Sequence, residues 1–208
     1  MLKYRKIVKA SARRIANAAN ATIDELVAHR VEHEPDFTGE MLGRMKQAMH
    51  DYHVGGVSWT AKILTSHGSN AQERRFGADF MGVLTFDLPE YKVQKGFLAQ
   101  AKRVEVSGGM SNGEWHRLTA QCKVMLSITN ASYVFLYSST GITIVPAVVV
   151  IAAQKPFNPH GFYTRKIVRF YEEHFECFVG DPQLSSADTK TLERIQAKRA
   201  LLLSGTVE

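Results

Sequence analysis

Three polar residues in apolar, strand-like segments are of the types that bind a metal ion and act on a phosphate. Asp79 follows Gly-Ala at the start of the run DFMGVLTF, and Gln100 and Lys102 stand two positions apart in GFLAQAKRVEV. Carboxylate and amide oxygens are ligands that Mg²⁺ accepts. A lysine beside them can stabilise developing negative charge or help to deprotonate a metal-bound water. This combination suits the hydrolysis of a phosphodiester.

The order of the segments predicts how these side chains meet. Alternate residues of a strand share a face, so Gln100 and Lys102 point to the same side. If the strand that starts at Asp79 pairs antiparallel with the 96–106 strand across a turn at 87–95, the three side chains converge. A buried polar group without a partner costs ~1–3 kcal/mol, so these residues are expected to have partners.

The periodicity of the remaining chain predicts a mixed α/β sheet with helices on both faces. The first helix should end at Pro35, and the second should have Thr38 as its N-cap. The first three strands should form a meander. The expected helices cover 12–33, as one helix or as a pair hinged near Asn20, and 38–52, 114–129, 162–178 and 191–203. The expected strands cover 57–65, 79–86, 96–106, 132–139 and 142–153.

A chain of 208 residues with 45% hydrophobic residues is long enough for one well-packed core. We expect a helical N-terminal segment over 1–37 and the core over 38–153. The remaining residues, 154–208, are expected to form a helical C-terminal extension that packs on this core.

The arrangement of Gly77-Ala78-Asp79, a strand, a turn, Gln100-Ala101-Lys102, a helix and a further strand resembles the PD-(D/E)XK nuclease superfamily. It is most similar to the branch with QxK in place of ExK, as in Mrr-type restriction endonucleases. The resemblance covers about residues 38–150. It implies a restriction-endonuclease-like fold and a metal-dependent deoxyribonuclease, active in restriction, phage defence or DNA processing.

The resemblance also implies roles for individual residues. Asp79 and Gln100 would hold Mg²⁺, or Mn²⁺ in its place, and Lys102 would be the catalytic lysine. The family has an acidic residue on the helix before the first strand, which we assign to Glu40, with Glu25 as the alternative. Because Gln100 is neutral where the family has an acid, an inactive nuclease-fold module that binds nucleic acid or protein stays an alternative.

A formal net charge of +6 and a pI of about 9.3 favour a polyanionic partner, which we expect to be DNA. Arg74 and Arg75, in the loop before the Asp79 strand, and Arg103, at a strand end, either face solvent or hold phosphate beside the candidate site. The predicted last helix carries further basic residues, which face either the DNA backbone or solvent: Lys190, Arg194, Lys198 and Arg199.

Partners and location follow from simple considerations. One site cuts one strand, so cleavage of both strands favours a homodimer. A defence-system partner protein is expected if target recognition or activation comes from another chain.

The longest apolar run falls short of the ~20 residues of a membrane span. The basic N-terminus lacks the apolar core of a secretory signal, so we expect a cytoplasmic protein without membrane contact. Cys122 and Cys177 have neither CxxC nor zinc-ligand spacing and are expected to be buried free thiols.

Overall fold

The computed structural model describes residues 4–66, 77–153 and 158–207. Within these ranges eight strands form one mixed sheet, which confirms the predicted α/β class at that level. The strands are β1 (Tyr52–Val54), β2 (Val57–Thr65), β3 (Phe80–Leu88), β4 (Tyr91–Arg103), β5 (Ser132–Ser138), β6 (Gly141–Pro146), β7 (Arg165–Lys166) and β8 (Arg199–Val207). Their order across the sheet is β1-β2-β8-β3-β4-β5-β6-β7.

Helices cover both faces of the sheet. They are α1 (Arg5–Val27), α2 (Glu34–Met49), α3 (Asn112–Ile128), α4 (Ala147–Ala152), α5 (Ile167–Phe175) and α6 (Thr189–Arg194). Residues of α1, α2 and α5 share one apolar cluster with the β4 residues Phe97, Ala99 and Ala101. Residues of α3, α4 and α6 share the other with Leu98. The predicted alternation of β4 between two faces is therefore confirmed.

The hairpin that should unite the candidate residues is present. β3 pairs antiparallel with β4, with Phe80 opposite Ala99. α3 follows, and β5 then pairs parallel with β4, with Val134 opposite Gln100. The predicted turn over 87–95 is too long, because the two strands stay paired up to Leu88 and Tyr91.

The end of the chain differs from the prediction of a helix over 191–203. α6 is short, and residues 199–207 form β8, which lies between β2 and β3 and is parallel to β3. The predicted meander is therefore wrong, and so is a purely helical C-terminal extension. The run is apolar on both faces, since Ala200 joins one apolar cluster while Leu201 and Leu203 join the other. This pattern is typical of a strand buried at the centre of a sheet.

Four other boundaries differ from those predicted. α1 begins at Arg5 and runs unbroken through Asn20. α2 begins at Glu34, with Pro35 in its first turn, so Pro35 starts a helix and Thr38 is not the N-cap. The predicted 142–153 strand ends at Pro146, after which α4 forms. Phe178, expected within a helix, lies exposed beyond the end of α5.

No helix in the described part of the chain has the length and apolar character needed to cross a membrane.

Candidate active site

The candidate site lies where the start of β3, the end of β4 and the start of β8 come together. Phe80 is opposite Ala99 of β4 on one side and opposite Arg199 of β8 on the other. The residue before Phe80 therefore lies between the last residues of β4 and the residue that precedes β8. The first turn of α2 lies beside them, since the Arg199 guanidinium donates a hydrogen bond to the Pro35 carbonyl oxygen at 3.1 Å.

Asp79 is at the centre of this arrangement and is only 8% exposed. Its Oδ2 accepts hydrogen bonds from the Ala101 backbone N–H at 3.0 Å and from the Gln100 side-chain amide. Its Oδ1 lies 2.7 Å from the Lys198 ammonium. The structure thus brings Asp79 and Gln100 into contact, as the hairpin predicted.

Lys102 lies two residues further along β4 and is also 8% exposed. Its Nζ lies 2.8 Å from Oε1 and 3.1 Å from Oε2 of Glu34, the first residue of α2. Glu34 also accepts a hydrogen bond from the Arg103 backbone N–H at 3.4 Å. A carboxylate in the first turn is stabilised by the helix dipole, and here it fixes the position of the lysine.

The helix carboxylate that contacts Lys102 is therefore Glu34, whereas the predicted residues Glu40 and Glu25 have other partners. The Glu40 carboxylate accepts a hydrogen bond from Arg44 at 2.7 Å, one turn further along α2. Glu25 pairs with Arg30 and with the same Arg44. Both carboxylates thus belong to an ion-pair network around Arg44. None of the contacts described for Asp79, Gln100 and Lys102 involves this network. The sequence signal for Glu34 was Pro35, because proline is common in the first turn of a helix.

Lys198 belongs to the site and was not predicted there. It was expected on the basic face of a terminal helix, but it immediately precedes β8, and its backbone N–H bonds to the Ala78 carbonyl oxygen at 3.2 Å. Its carbonyl oxygen accepts a hydrogen bond from the Ser66 N–H. The first bond holds Lys198 beside Asp79, and the second joins it to the residue that follows β2. The predicted phosphate contacts Arg74 and Arg75 lie outside the described residues.

A groove of about 470 Å³ lies beside the Glu34–Lys102 pair. The exposed side chain of Arg103 belongs to its lining, as does the helix-capping residue Glu114. The full lining is Glu32, His33, Glu34, Arg103, Val104, Glu105, Gly108, Gly109 and Glu114. Four of these nine residues are glutamates, so the groove would repel a phosphate backbone unless cations neutralised them.

Two groove carboxylates are held in their charged form. Hydrogen bonds from the Ser139 side chain and backbone lower the pKa of Glu105. Hydrogen bonds from Ser111 lower the pKa of Glu114, and the positive charges of Lys102 and Arg117 add to this effect. The Ser111 contacts form a capping box at the start of α3. The negative charge of the groove is therefore maintained below neutral pH.

Asp79 and Gln100 are the residues of the site whose side-chain oxygens could hold a cation. Within the described ranges, no group of three or more His, Cys, Asp or Glu side chains is arranged to hold a metal ion. Asp79 supplies one carboxylate, and the buried Oε1 of Gln100 has no hydrogen-bond partner among the described residues. An oxygen left free in this way suits Mg²⁺, which usually keeps several waters and takes one or two protein carboxylates.

The sequence matches no protein-family model, and neither the curated proteins nor the solved structures show significant similarity to it. The class of protein must therefore be argued from the fold and the site alone.

Proposed function

We propose that this protein is a metal-dependent DNA endonuclease of the PD-(D/E)XK type. The observation that carries the proposal is the contact of Asp79 with Gln100 and with the Ala101 N–H across the β3–β4 hairpin. Lys102, which lies on β4 like Gln100, is held by the carboxylate of Glu34 on α2. Buried Asp, Gln and Lys side chains at one end of the central strands destabilise the fold unless they bind a ligand or one another.

The order of elements supports the proposal. Along the chain, α2 is followed by the strands β1 to β4, then by α3 and by β5, which is parallel to β4, and this order supports the resemblance. β8 is an addition to that order, because it enters the sheet between β2 and β3. It brings a second lysine, Lys198, to the carboxylate.

Each residue has a distinct part in the proposed reaction. Asp79 and Gln100 would hold Mg²⁺ or Mn²⁺, which when bound polarises a phosphoryl oxygen and activates a water. Lys102 would stabilise the negative charge that develops on the phosphate. Glu34 holds the ammonium of Lys102 in place, and Arg103 at the rim of the groove would contact the DNA backbone.

One observation favours the alternative, a nuclease-fold module that binds nucleic acid or protein without cutting it. The Lys198 ammonium already neutralises Asp79, at 2.7 Å from Oδ1. A lysine that permanently replaced the cation would leave the site without a Lewis acid. A measurement of metal binding therefore distinguishes the nuclease from the module that only binds.

The proposal is tested by incubating the purified chain with supercoiled plasmid in Mg²⁺, in Mn²⁺ and in EDTA. We expect nicked or linear DNA only with a metal ion. Direct linearisation without a nicked intermediate would support a homodimer. If no condition gives cleavage while the protein retains DNA on a gel, the binding module is the better description. Activity that appears only with a second chain present would point to a defence-system partner.

A substitution of Lys198 by methionine should strengthen Mn²⁺ binding. The ammonium competes with a cation for Asp79, and its removal should raise affinity up to about tenfold, limited by the partial exposure of Lys198. Titration calorimetry measures this change. Lys190→Met is the matched control, because Lys190 is an exposed lysine of α6 and its loss changes the net charge equally. Weaker binding in Lys198→Met than in Lys190→Met would contradict competition between lysine and metal.

A further inference from the structure

A second cluster of reactive side chains lies between β4 and the segment that follows α5. The exposed Cys177 has its Sγ 2.7 Å from the hydroxyl of Tyr91. The same hydroxyl donates a hydrogen bond to the Phe175 carbonyl oxygen at 3.1 Å. Tyr91 is the first residue of β4, so the thiol is held against this strand.

Lys95, on the same strand, is buried beneath this segment and is only 2% exposed. Its Nζ has no nitrogen or oxygen partner among the described residues. Gly180 packs over the side chain so closely that a Cβ there would lie 3.0 Å from the Lys95 Cδ. Two backbone hydrogen bonds between Gly96 and Asp181, of 3.0 and 2.7 Å, close the segment over the lysine.

The burial of Lys95 makes its ammonium easier to deprotonate than that of a solvent-exposed lysine. Burial lowers the pKa of Lys95, and the hydrogen bond and charge of the neighbouring Cys177 act in the opposite direction. Burial is the main cause that lowers the pKa of the fully buried His174 to about 3, so this neighbour is uncharged at neutral pH. A neutral amine has a lone pair that can attack an electrophile, whereas an ammonium does not.

We propose that Cys177 and Lys95 form a peroxide-sensitive redox site, in which oxidised Cys177 is captured by Lys95 as a sulfenamide cross-link. The proposal is independent of the nuclease function. An exposed thiol is accessible to hydrogen peroxide. The amine is enclosed beside it, so capture is intramolecular and needs no further reagent.

The chemistry balances in two steps. A sulfur lone pair of the Cys177 thiolate attacks one oxygen of hydrogen peroxide and the O–O bond breaks. The sulfur is oxidised by two electrons to a sulfenic acid, and the peroxide is reduced to hydroxide, which takes a proton from the solvent to give water. The Lys95 nitrogen then attacks the sulfur, an S–N bond forms, the S–O bond breaks, and water leaves with a proton from the amine. An external thiol reverses the link by attacking the sulfur and releasing the amine.

The test uses the full chain with Cys122 replaced by alanine, because an internal disulfide would change the mass by the same two hydrogen atoms. Cys122 is fully buried, and burial raises the pKa of its thiol to about 12, so it should contribute little reactivity. Hydrogen peroxide is added, followed by dimedone, which labels sulfenic acid. Intact mass and peptide mapping are then measured before and after dithiothreitol.

We expect a product lighter by two hydrogen atoms, with peptides containing residues 95 and 177 joined and with full reversal by dithiothreitol. Lys95→Met should instead accumulate sulfenic acid and take up several-fold more dimedone, while Cys177→Ala should not react. Equal dimedone labelling with and without Lys95 would overturn the proposal. An unlinked, overoxidised Cys177 in the chain that keeps Lys95 would also overturn the proposal. This second result does not depend on whether Lys95→Met folds.

Discussion

Replacing Lys102 by methionine should reduce metal-dependent plasmid cleavage by roughly 100- to 10,000-fold, the range for loss of one group that acts on the transition state. Methionine keeps the length and apolar stem of the side chain but removes the ammonium. Glu34 loses its partner, yet its side chain is 33% exposed and stays hydrated. The fold should therefore survive. Single-turnover rates in Mg²⁺, with melting curves of both proteins, measure the effect.

Asp79→Asn should lower cleavage by a similar factor, because the amide keeps the side-chain shape but removes the charged metal ligand.

Two variants on α2 then separate the candidate acids. Glu34→Gln should slow cleavage by freeing Lys102, whereas Glu40→Gln should leave it unchanged, since Glu40 joins the i,i+4 surface pair with Arg44. Wild-type rates in both Asp79→Asn and Lys102→Met would refute the site, and a loss confined to Glu40→Gln would restore the original assignment.

The contact between Asp79 and Gln100 could be predicted because it depends on local rules. Strand residues alternate between faces, and two strands joined by a short turn pair antiparallel. These rules place the residue before β3 beside the end of β4. They also place Leu98 and Ala99 on opposite faces, as the two apolar clusters have them.

Lys198 could not be placed in this way. It meets Asp79 across a sequence separation of 119 residues. The run RALLLSGTV is apolar, and periodicity over such a short stretch does not distinguish a buried strand from a helix. The position between β2 and β3 makes this run a strand, because both neighbouring strands offer hydrogen-bonding partners to an extended segment. A strand inserted between elements remote in sequence leaves no local signal.

Glu34 was within reach of the sequence. The prediction ends the first helix at Pro35, whereas Pro35 lies in the first turn of the second, so the predicted start of α2 is four residues too late. Proline lacks an N–H, which the first turn of a helix does not need. Reading Pro35 as a helix start would have made Glu34 the first helical residue and a candidate partner for Lys102.

The position of β8 itself gives the largest expected effect on stability. Leu201 is 1% exposed and is paired with Ile63 of β2 and Gly82 of β3. Leu201→Ala should lower the free energy of unfolding by ~2–5 kcal/mol, because it removes buried methyl groups and leaves a cavity. Urea titration should show a lower midpoint with an unchanged slope.

Val207→Ala is the matched control on the same strand, since Val207 is 48% exposed and should cost less than ~1 kcal/mol. Similar losses for the two variants would mean that residues 199–207 are not inserted in the sheet. Because Lys198 precedes this strand directly, its position beside Asp79 depends on the same insertion. A destabilised β8 should therefore also loosen the Lys198 contact, so that Mn²⁺ affinity in Leu201→Ala shifts toward that of Lys198→Met under conditions in which the protein stays folded.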